Sequence, residues 1–452
     1  MRRYLLIVLL LILTSGTVSS QIGGETGFIL DVPYNHAYST PLIRSVNDTT
    51  IVSYYENDYH GVFVVMKNNS LQADTIELSH HCYVYDFEIL GNIVFFCGKR
   101  IDVLDLFNTD EHALLGWFSL STLTGGSTNI SVDYKEFDVA GMDHNKLKRM
   151  VTYKDNQNCK RILAIGESFL CDSLNQPPCH SEIDFFVNIN ASSNYYIDEL
   201  FIFNDEVYHD IVETENYAIL VGNDLSTSTS NSICFRKIMK HNIQYTERDY
   251  LYRINMPHIE PYTFIYGTQI DGIDRFITST FGRINGVDGT VLRTFNASND
   301  LVMMGAQFIP ATSEKVQPYE LTYIPGNGKV LLLQLSTNNP STRIYTIDPY
   351  ATQNYQTIRE YSPNWTFYSL DKYSSDKYIV MGTTGTTPVF YARNVLYNTP
   401  HCVNQKIVDV KKIDIFKISK LYIPLNIGNS PTVNSIDING ISAERDLSVE
   451  CN

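Results

Sequence analysis

The chain has 452 residues, of which 44% are hydrophobic and 12% aromatic, so it can bury a core and is not disordered. Its formal net charge is -15, and no stripe of Lys and Arg interrupts the acidity. Because an acidic surface repels a phosphate backbone, nucleic acid is not expected as a partner. A single core rarely exceeds roughly 250–300 residues, so the length predicts either several domains or a repeat fold.

The N-terminus has the pattern of a secretory signal peptide. Arg2 and Arg3 precede an uninterrupted apolar run from Leu5 to Leu13, and small and polar residues follow. This run is too short to cross a bilayer, which takes about 20 residues. We therefore expect residues 1–20 to be removed and the mature protein to be exported to the periplasm, cell surface or medium, without a membrane span.

Short runs of β-branched and aromatic residues, separated by Asn, Asp and Gly, recur along the chain, and no long stretch has helical periodicity. The clearest unit is Val84–Gly98, in which two runs flank Gly91-Asn92. Asn and Gly favour tight hairpin turns because such turns need positive φ. One hairpin cannot bury its own apolar face, so a series of hairpins predicts a repeat fold.

Seven hairpin units can be placed along the chain. They begin at Pro41, Tyr83, Glu136, Tyr208, Tyr262, Tyr319 and Thr366. Their irregular spacing brackets the roughly 40–50 residues of a four-stranded propeller blade. We predict an all-β fold, a β-propeller that is seven-bladed, with six or eight blades as alternatives, and has blades of three to four antiparallel strands. Two stacked β-sandwich domains are the competing architecture.

The predicted propeller spans residues 21–401, and residues 402–452 form a C-terminal segment. Either Phe28–Pro33 or this C-terminal segment is expected to complete the last blade, because closing the ring removes exposed strand edges. The widest gap between units predicts an insertion at Cys171–Asp205. Glycines near the ends of second strands are interpreted as the points where the chain leaves the sheet. These are Gly98, Gly222, Gly282 and Gly382.

One stretch resembles a known family. Val84–Gly98, followed by Leu115-Gly-Trp-Phe118, is similar to the second-blade motif of uncharacterised secreted β-propeller proteins of Bacteroides-type gut bacteria. The resemblance implies a propeller fold and an exported location, and it implies no reaction, cofactor or site residue. The sequence contains neither a Trp-Asp dipeptide nor the Ser-x-Asp-x-Gly-x-x-Trp box of sialidases.

The chain contains eight cysteines, which in an exported protein can form disulfides. If Gly91-Asn92 is a two-residue turn, Cys97 lies opposite Asp86 and too far from Cys82 for a bridge. Cys97 is therefore expected to be a free, buried thiol. The candidate disulfides are Cys171–Cys179 and Cys402–Cys451.

No catalytic, cofactor-binding or metal-binding residue is predicted. His80-His81-Cys82 and Cys179-His180 lack the spacing of zinc ligands. Asp271–Asp274, Asn285–Gly289 and Asp437–Gly440 lack the full set of calcium ligands and are interpreted as hairpin turns. The sequence also has no Gly-x-Ser-x-Gly elbow and no Walker-type loop.

These observations predict an exported, non-catalytic binding or scaffold module for an unknown glycan or protein, without a cofactor. The alternative is a carbohydrate-active enzyme, a glycosidase or lyase, on the same scaffold, because 49 acidic residues offer many carboxylate pairs. Tyrosine is abundant and suits contacts with sugars or proteins. Binding is expected on the face where first strands begin and second strands end. That rim is predicted to carry His80, His81, Lys99, Arg100, Tyr208 and Tyr262.

Overall fold

The computed structural model describes residues 26–30, 40–47, 49–57, 60–67, 72–103, 109–123, 129–170, 181–191, 196–203, 205–226, 232–240, 246–254, 265–298, 300–311, 316–336, 342–350, 355–361, 365–384, 387–394, 403–409, 411–412, 418–427 and 432–451. These residues form 33 strands and two short 3-10 helices, Leu120–Thr122 and Thr246–Asp249. Within these ranges no helix has the length and hydrophobicity needed to cross a bilayer.

The strands form seven antiparallel blades of a β-propeller, which confirms the predicted fold class. The N-terminal strand is β1 (Thr26–Leu30). Blade 1 consists of β2 (Leu42–Asn47), β3 (Thr50–Asn57), β4 (His60–Lys67) and β5 (Gln72–His80), and blade 2 of β6 (Cys82–Leu90), β7 (Ile93–Val103), β8 (Thr109–Ser119) and β9 (Asn129–Asp138). Blade 3 consists of β10 (His144–Lys154), β11 (Lys160–Leu170), β12 (Ser181–Asn190) and β13 (Tyr196–Ile202), and blade 4 of β14 (Glu206–Glu213), β15 (Tyr217–Asp224), β16 (Ser232–Met239) and β17 (Tyr250–Ile254).

The remaining blades repeat this order. Blade 5 consists of β18 (Ile265–Gln269), β19 (Arg275–Ile284), β20 (Val287–Asn296) and β21 (Val302–Pro310), and blade 6 of β22 (Val316–Ile324), β23 (Lys329–Ser336), β24 (Thr342–Ile347) and β25 (Tyr355–Tyr361). Blade 7 consists of β26 (Trp365–Lys372), β27 (Lys377–Thr384), β28 (Thr387–Asn394) and the N-terminal strand β1. Blade 7 therefore combines residues from the two ends of the propeller sequence.

The C-terminal segment adds an outermost strand to every blade, in the reverse of the blade order. β29 (Val403–Asp409) pairs with blade 6, β30 (Lys411–Lys412) with blade 5, β31 (Ser419–Tyr422) with blade 4 and β32 (Asn426–Ile427) with blade 3. β33 (Thr432–Cys451) then pairs with β9, β5 and β1 in turn. The sequence did not predict this fifth strand.

The hydrophobic core is divided among the joints between blades. Seven clusters of buried side chains are described, and each lies between two neighbouring blades. Between blades 1 and 2, for example, the ring of Phe63 lies 5.1–5.4 Å from the rings of Tyr54, Phe87, Phe96 and Phe118. Because each blade needs only its neighbours, the chain can exceed the usual size of a single core.

The predicted start of the third unit is wrong. Glu136 lies in β9, the last strand of blade 2, and blade 3 begins with β10. A register shift between Leu147 and Arg149 leaves one extra residue in β10. This bulge reverses the alternation of inward and outward side chains, so the strand lacks a continuous period of two. The predicted insertion at Cys171–Asp205 contains β12 and β13, the third and fourth strands of blade 3.

The structure confirms the predicted register around the first cysteines. Cys97 pairs with Asp86, and Cys82 pairs with Arg100. Cys82, Cys97 and Cys234 are buried and form no disulfide, and Cys159 forms none either. The predicted bridges cannot be assessed, because Cys171, Cys179 and Cys402 lie outside the described residues.

Candidate functional site in the central channel

A β-bulge interrupts the first strand of blades 2, 3, 4, 6 and 7. In blade 2 the bulge follows Val84, whose partner across the strand pair is Gly98. A Cβ atom at Gly98 would lie 1.8 Å from the carbonyl oxygen of Tyr83, and equivalent contacts of 2.0 and 1.9 Å exist at Gly222 and Gly382. Gly98, Gly222 and Gly382 were predicted to end second strands, but they lie inside those strands. There the bulged first strand occupies the space that a side chain at the glycine would need.

The first strands of all seven blades surround a central cavity of about 690 Å³. The cavity reaches the turns between first and second strands, where Asp271 and Pro325 line it, and we call this end the turn face. A separate cavity of about 30 Å³ lies toward the opposite end, beside Tyr319 and Tyr368. Within the described residues, the channel is therefore wide at the turn face and narrow at the other end.

Charged side chains dominate the wall of the central cavity. Seven are acidic and three are basic, namely Asp86, Glu88, Asp210, Glu213, Asp271, Glu320, Asp371, Arg44, Arg149 and Lys372. Four of them, Asp86, Arg149, Asp210 and Glu320, come directly after a bulge in blades 2, 3, 4 and 6. The same backbone irregularity thus places a charged residue in the channel wall in four blades.

Most of these carboxylates also join neighbouring blades. Each accepts a hydrogen bond from a main-chain N–H of the first strand of the next blade. The donors and distances are Met150 to Asp86 at 3.0 Å, Gly267 to Asp210 at 2.8 Å, Leu370 to Glu320 at 2.6 Å and Ser45 to Asp371 at 2.7 Å. The inner wall is therefore held together by side-chain acceptors and main-chain donors.

The two arginines of the wall have different surroundings. Arg44 donates to Asp86 at 3.1 Å and to Glu320 at 3.0 Å, so it links blade 1 to blades 2 and 6. Arg149 lies 3.8 Å from Asp86 and 3.9 Å from Asp210. These distances exceed those of N–H to oxygen hydrogen bonds, so donors of the Arg149 guanidinium remain available to a ligand.

Arg149 also lies over an aromatic ring. Its guanidinium carbon is 5.5 Å from the centroid of Tyr266, a cation–π distance. The ring of Tyr266 stacks on that of Tyr319 at 6.1 Å. Arg149, Tyr266 and Glu320 line both the large and the small cavity, so they lie where the channel narrows.

Burial changes the acidity of three carboxyl groups of the wall. It raises the pKa of Glu88 to about 8, that of Asp210 to about 7 and that of Asp371 to about 6, although a nearby arginine opposes each shift. Protonation of these groups near neutral pH makes the cavity less negative than the formal charges suggest.

The residues predicted for the binding rim are mostly held by other side chains. Tyr208 is buried and donates to Glu206 at 2.7 Å. Lys99 forms an ion pair with Glu111, and Arg100 forms ion pairs with Asp102 and Glu136. His81 has a positive φ of 63° and lies 3.4 Å from the hydroxyl of Tyr83. His80 ends β5, and Tyr262 lies outside the described residues. The large cavity opens at the turn face, which is the end of the propeller opposite to the predicted binding rim.

Two of the three acidic turns have the geometry of ordinary hairpins. Asn285 and Gly286 both have positive φ, as a tight two-residue turn requires. Asp274 accepts hydrogen bonds from Thr214 and Asn216, so it joins blades 4 and 5. Asp437–Gly440 is not a turn, because it lies within β33. In the described parts of the chain, no group of three or more His, Cys, Asp or Glu residues is placed to hold a metal ion.

Several solved structures resemble the chain, among them two propeller-type domains. The WD40 domain of coronin from Toxoplasma gondii has a TM-score of 0.46 and 8% sequence identity, over 84% of this chain and 88% of that one. The β-propeller domain of Nup133 from Vanderwaltozyma polyspora has a TM-score of 0.40 and 10% identity, over 82% and 98% of the two chains. No family model and no curated protein matches the chain. The strand order described above defines the chain as a β-propeller, a fold that supports a binding or scaffold module.

Proposed function

We propose that the protein is an exported, non-catalytic propeller that binds a glycan in the central cavity at the turn face. The observation that carries this proposal is Arg149, whose guanidinium lies over Tyr266 in the cavity wall and is not saturated by its two long ion pairs. A volume of about 690 Å³ is in the usual range of roughly 300–1,000 Å³ for small-molecule sites.

The distribution of polar groups favours a hydroxyl-rich ligand. Arg149 supplies donors and Glu320 supplies acceptors where the channel narrows, and Asp210 supplies acceptors in the adjoining wall of the large cavity. Sugar hydroxyls donate and accept at once, and their C–H faces stack on aromatic rings such as that of Tyr266. A glycan therefore matches this wall better than a ligand that carries only positive or only negative charge.

The non-catalytic part of the proposal is supported by the carboxylates. A glycosidase needs two carboxyl groups that are free to transfer protons or to attack the sugar. Four of the seven acidic residues of the wall, Asp86, Asp210, Glu320 and Asp371, each accept a main-chain N–H from the next blade, and Asp86 and Glu320 also bind Arg44. Proton transfer at these groups would weaken the joints between blades.

Binding and turnover can be measured together. The purified mature chain is titrated with a panel of soluble oligosaccharides by calorimetry, and the same mixtures are assayed for new reducing ends or unsaturated products. Saturable binding without product is expected. Product release from any glycan would instead establish a carbohydrate-active enzyme. Binding of a protein but of no glycan would show that the ligand is a protein.

A variant locates the site. Arg149→Met should weaken glycan binding at least about tenfold, the loss of one charge-assisted hydrogen bond. The matched control is Arg283→Met, because Arg283 pairs with Asp288 on a hairpin away from the cavity. If both variants bind as the unchanged protein does, the site lies elsewhere.

Export is tested separately. N-terminal sequencing of the protein recovered from its native envelope or medium should begin at Gln21. A mature protein that retains residues 1–20 inside the cell would contradict the proposed export.

A further inference from the structure

The C-terminal segment is anchored at blade 4 by a row of apolar side chains. Leu421, Ile423 and Leu425 pack against the buried cluster between blades 3 and 4. Tyr422, between the first two, is 64% exposed. The alternation of buried and exposed side chains begins in β31 and continues into the residues after it. One face of the segment therefore packs on the ring in a defined register.

A buried arginine holds the main chain of the same anchor. Arg236 is 1% exposed and binds both carboxylate oxygens of Glu206 at 2.6 Å. It also donates to the carbonyl oxygen of Ile423 at 2.8 Å, and the N–H of Ile423 donates to the carbonyl oxygen of Asp249 at 2.8 Å. The anchor is thus bound by both its side chains and its backbone.

The far end of the segment covers the closure of the ring. β1 completes blade 7, but no covalent connection joins β1 to β28. β1 lies between β28 and β33, because Phe28 is paired with Phe390 on one side and with Val449 on the other. The N-terminal strand therefore gains its second neighbour only when the last residues of the chain are in place.

We propose that strands β29 to β33 form a strap that is anchored at blade 4 and latches the ring at blade 7. The strap pairs with the outer edges of the blades, which would otherwise template pairing with another chain. Release of the strap frees one edge of β1 and exposes the outer strand edges of the blades. The strand pairs that form the channel wall stay intact. The ring cannot be latched until the C-terminus has been synthesised, and full closure is a late step of folding.

The anchor can be weakened without touching the latch. In the full mature chain, Leu421→Asp combined with Ile423→Asp places two charges against a buried apolar cluster. Hydrogen exchange followed by mass spectrometry should show at least about tenfold faster exchange in residues 26–30 and 432–451, and slow exchange should persist in β15. Tyr422→Asp is the matched control and should exchange as the unchanged protein does.

Light scattering measures the exposed edges. The double variant should form dimers or larger species, and the Tyr422→Asp variant should remain in the state of the unchanged protein. A folded double variant with unchanged exchange in β1 would overturn the proposal, and so would equal effects of the double variant and the control.

A crosslink tests the latch even if the double variant fails to fold. Gly27 is the register partner of Cys451, so Gly27→Cys should form a disulfide with Cys451 under mild oxidation and slow exchange in β1, in a chain that also carries Cys402→Ser so that the predicted Cys402–Cys451 bridge cannot compete. Leu30→Cys, whose partner is Leu447, should not form it. Peptide mapping that finds no bridge between positions 27 and 451 would overturn the proposed latch.

Discussion

The inner wall and the outer rim of the propeller join neighbouring blades by different means. At the channel, carboxylates such as Asp86 and Asp371 accept an N–H group of the next blade, so each of these hydrogen bonds depends on the identity of one side chain. At the outer rim, the C-terminal segment pairs main chain with main chain, as any strand can. Side-chain identity therefore specifies the contacts between blades at the channel, whereas strand register specifies most of those at the outer rim.

Blade 4 is where the two modes meet. There the strap is held by the side chain of Arg236 as well as by strand pairing. Substitutions that remove a buried contact of the strap at blade 4 should therefore lower the free energy of unfolding strongly. Substitutions at exposed positions of the outer rim should lower it little.

The largest effect is expected for Arg236→Met. Glu206 would remain buried without its cation, and the free energy of unfolding should fall by about 3–5 kcal/mol in urea denaturation. Adding Glu206→Gln should recover part of the loss, because the unpaired charge is then removed. A loss below about 1 kcal/mol, typical of surface pairs, would show that Arg236 does not hold the rim.

The inner strand pair is tested by Gly98→Ala. The added Cβ would lie 1.8 Å from a carbonyl oxygen, and the resulting strand shift should cost about 1–3 kcal/mol of unfolding free energy. Gly305→Ala in β21 is the control, because nothing lies within 4 Å of its added Cβ. That variant should gain about 0.4–1 kcal/mol through the unfolded chain. Equal effects of the two substitutions would refute the role of the bulge.

The pH dependence of stability tests the carboxylates of the wall. The pKa of Asp210 is raised to about 7 and that of Asp371 to about 6, so the folded state binds more protons than the unfolded state between about pH 4 and these values. The stability they contribute is present at low pH and is lost as the pH rises.

Calorimetry should therefore show a thermal midpoint that falls from pH 5 to pH 8. Asp210→Asn, which mimics the protonated acid, should flatten this fall. A midpoint that rises over the range, or an unchanged slope in the variant, would mean that the carboxylates are ionised throughout.

The smallest effect is expected for Lys420→Met at the rim. Lys420 pairs with Asp300 at 2.8 Å, where the Asp300 side chain is 70% exposed, and its ammonium lies 4.5 Å from the ring centroid of Tyr250. Exposed ion pairs and cation–π contacts each contribute about 0–1 kcal/mol, so urea denaturation should detect a loss of about 1 kcal/mol. A loss as large as that of Arg236→Met would remove the distinction between the anchor and the exposed rim.

Much of the fold follows from local sequence. Gly91-Asn92 set the register of the first clear hairpin, which placed Cys97 opposite Asp86 as observed. The start of blade 3 was misplaced because its first strand opens with His144-Asn-Lys-Leu-Lys148, which is mostly polar and lacks the apolar alternation of a half-buried strand. The site itself had no local signal, since Arg149 and Tyr266 are far apart in sequence and meet only when the ring closes.

The sequence by itself determined the all-β class and most of the hairpins, and it predicted seven blades with six or eight as alternatives, because turn residues and apolar alternation act over a few residues. Only the tertiary structure decided the number of blades, which carboxylates join them, that an arginine lies over a tyrosine in the cavity wall, and that the C-terminal segment adds a strand to every blade. These features depend on contacts between residues distant in the chain, and short-range patterns carry no information about them.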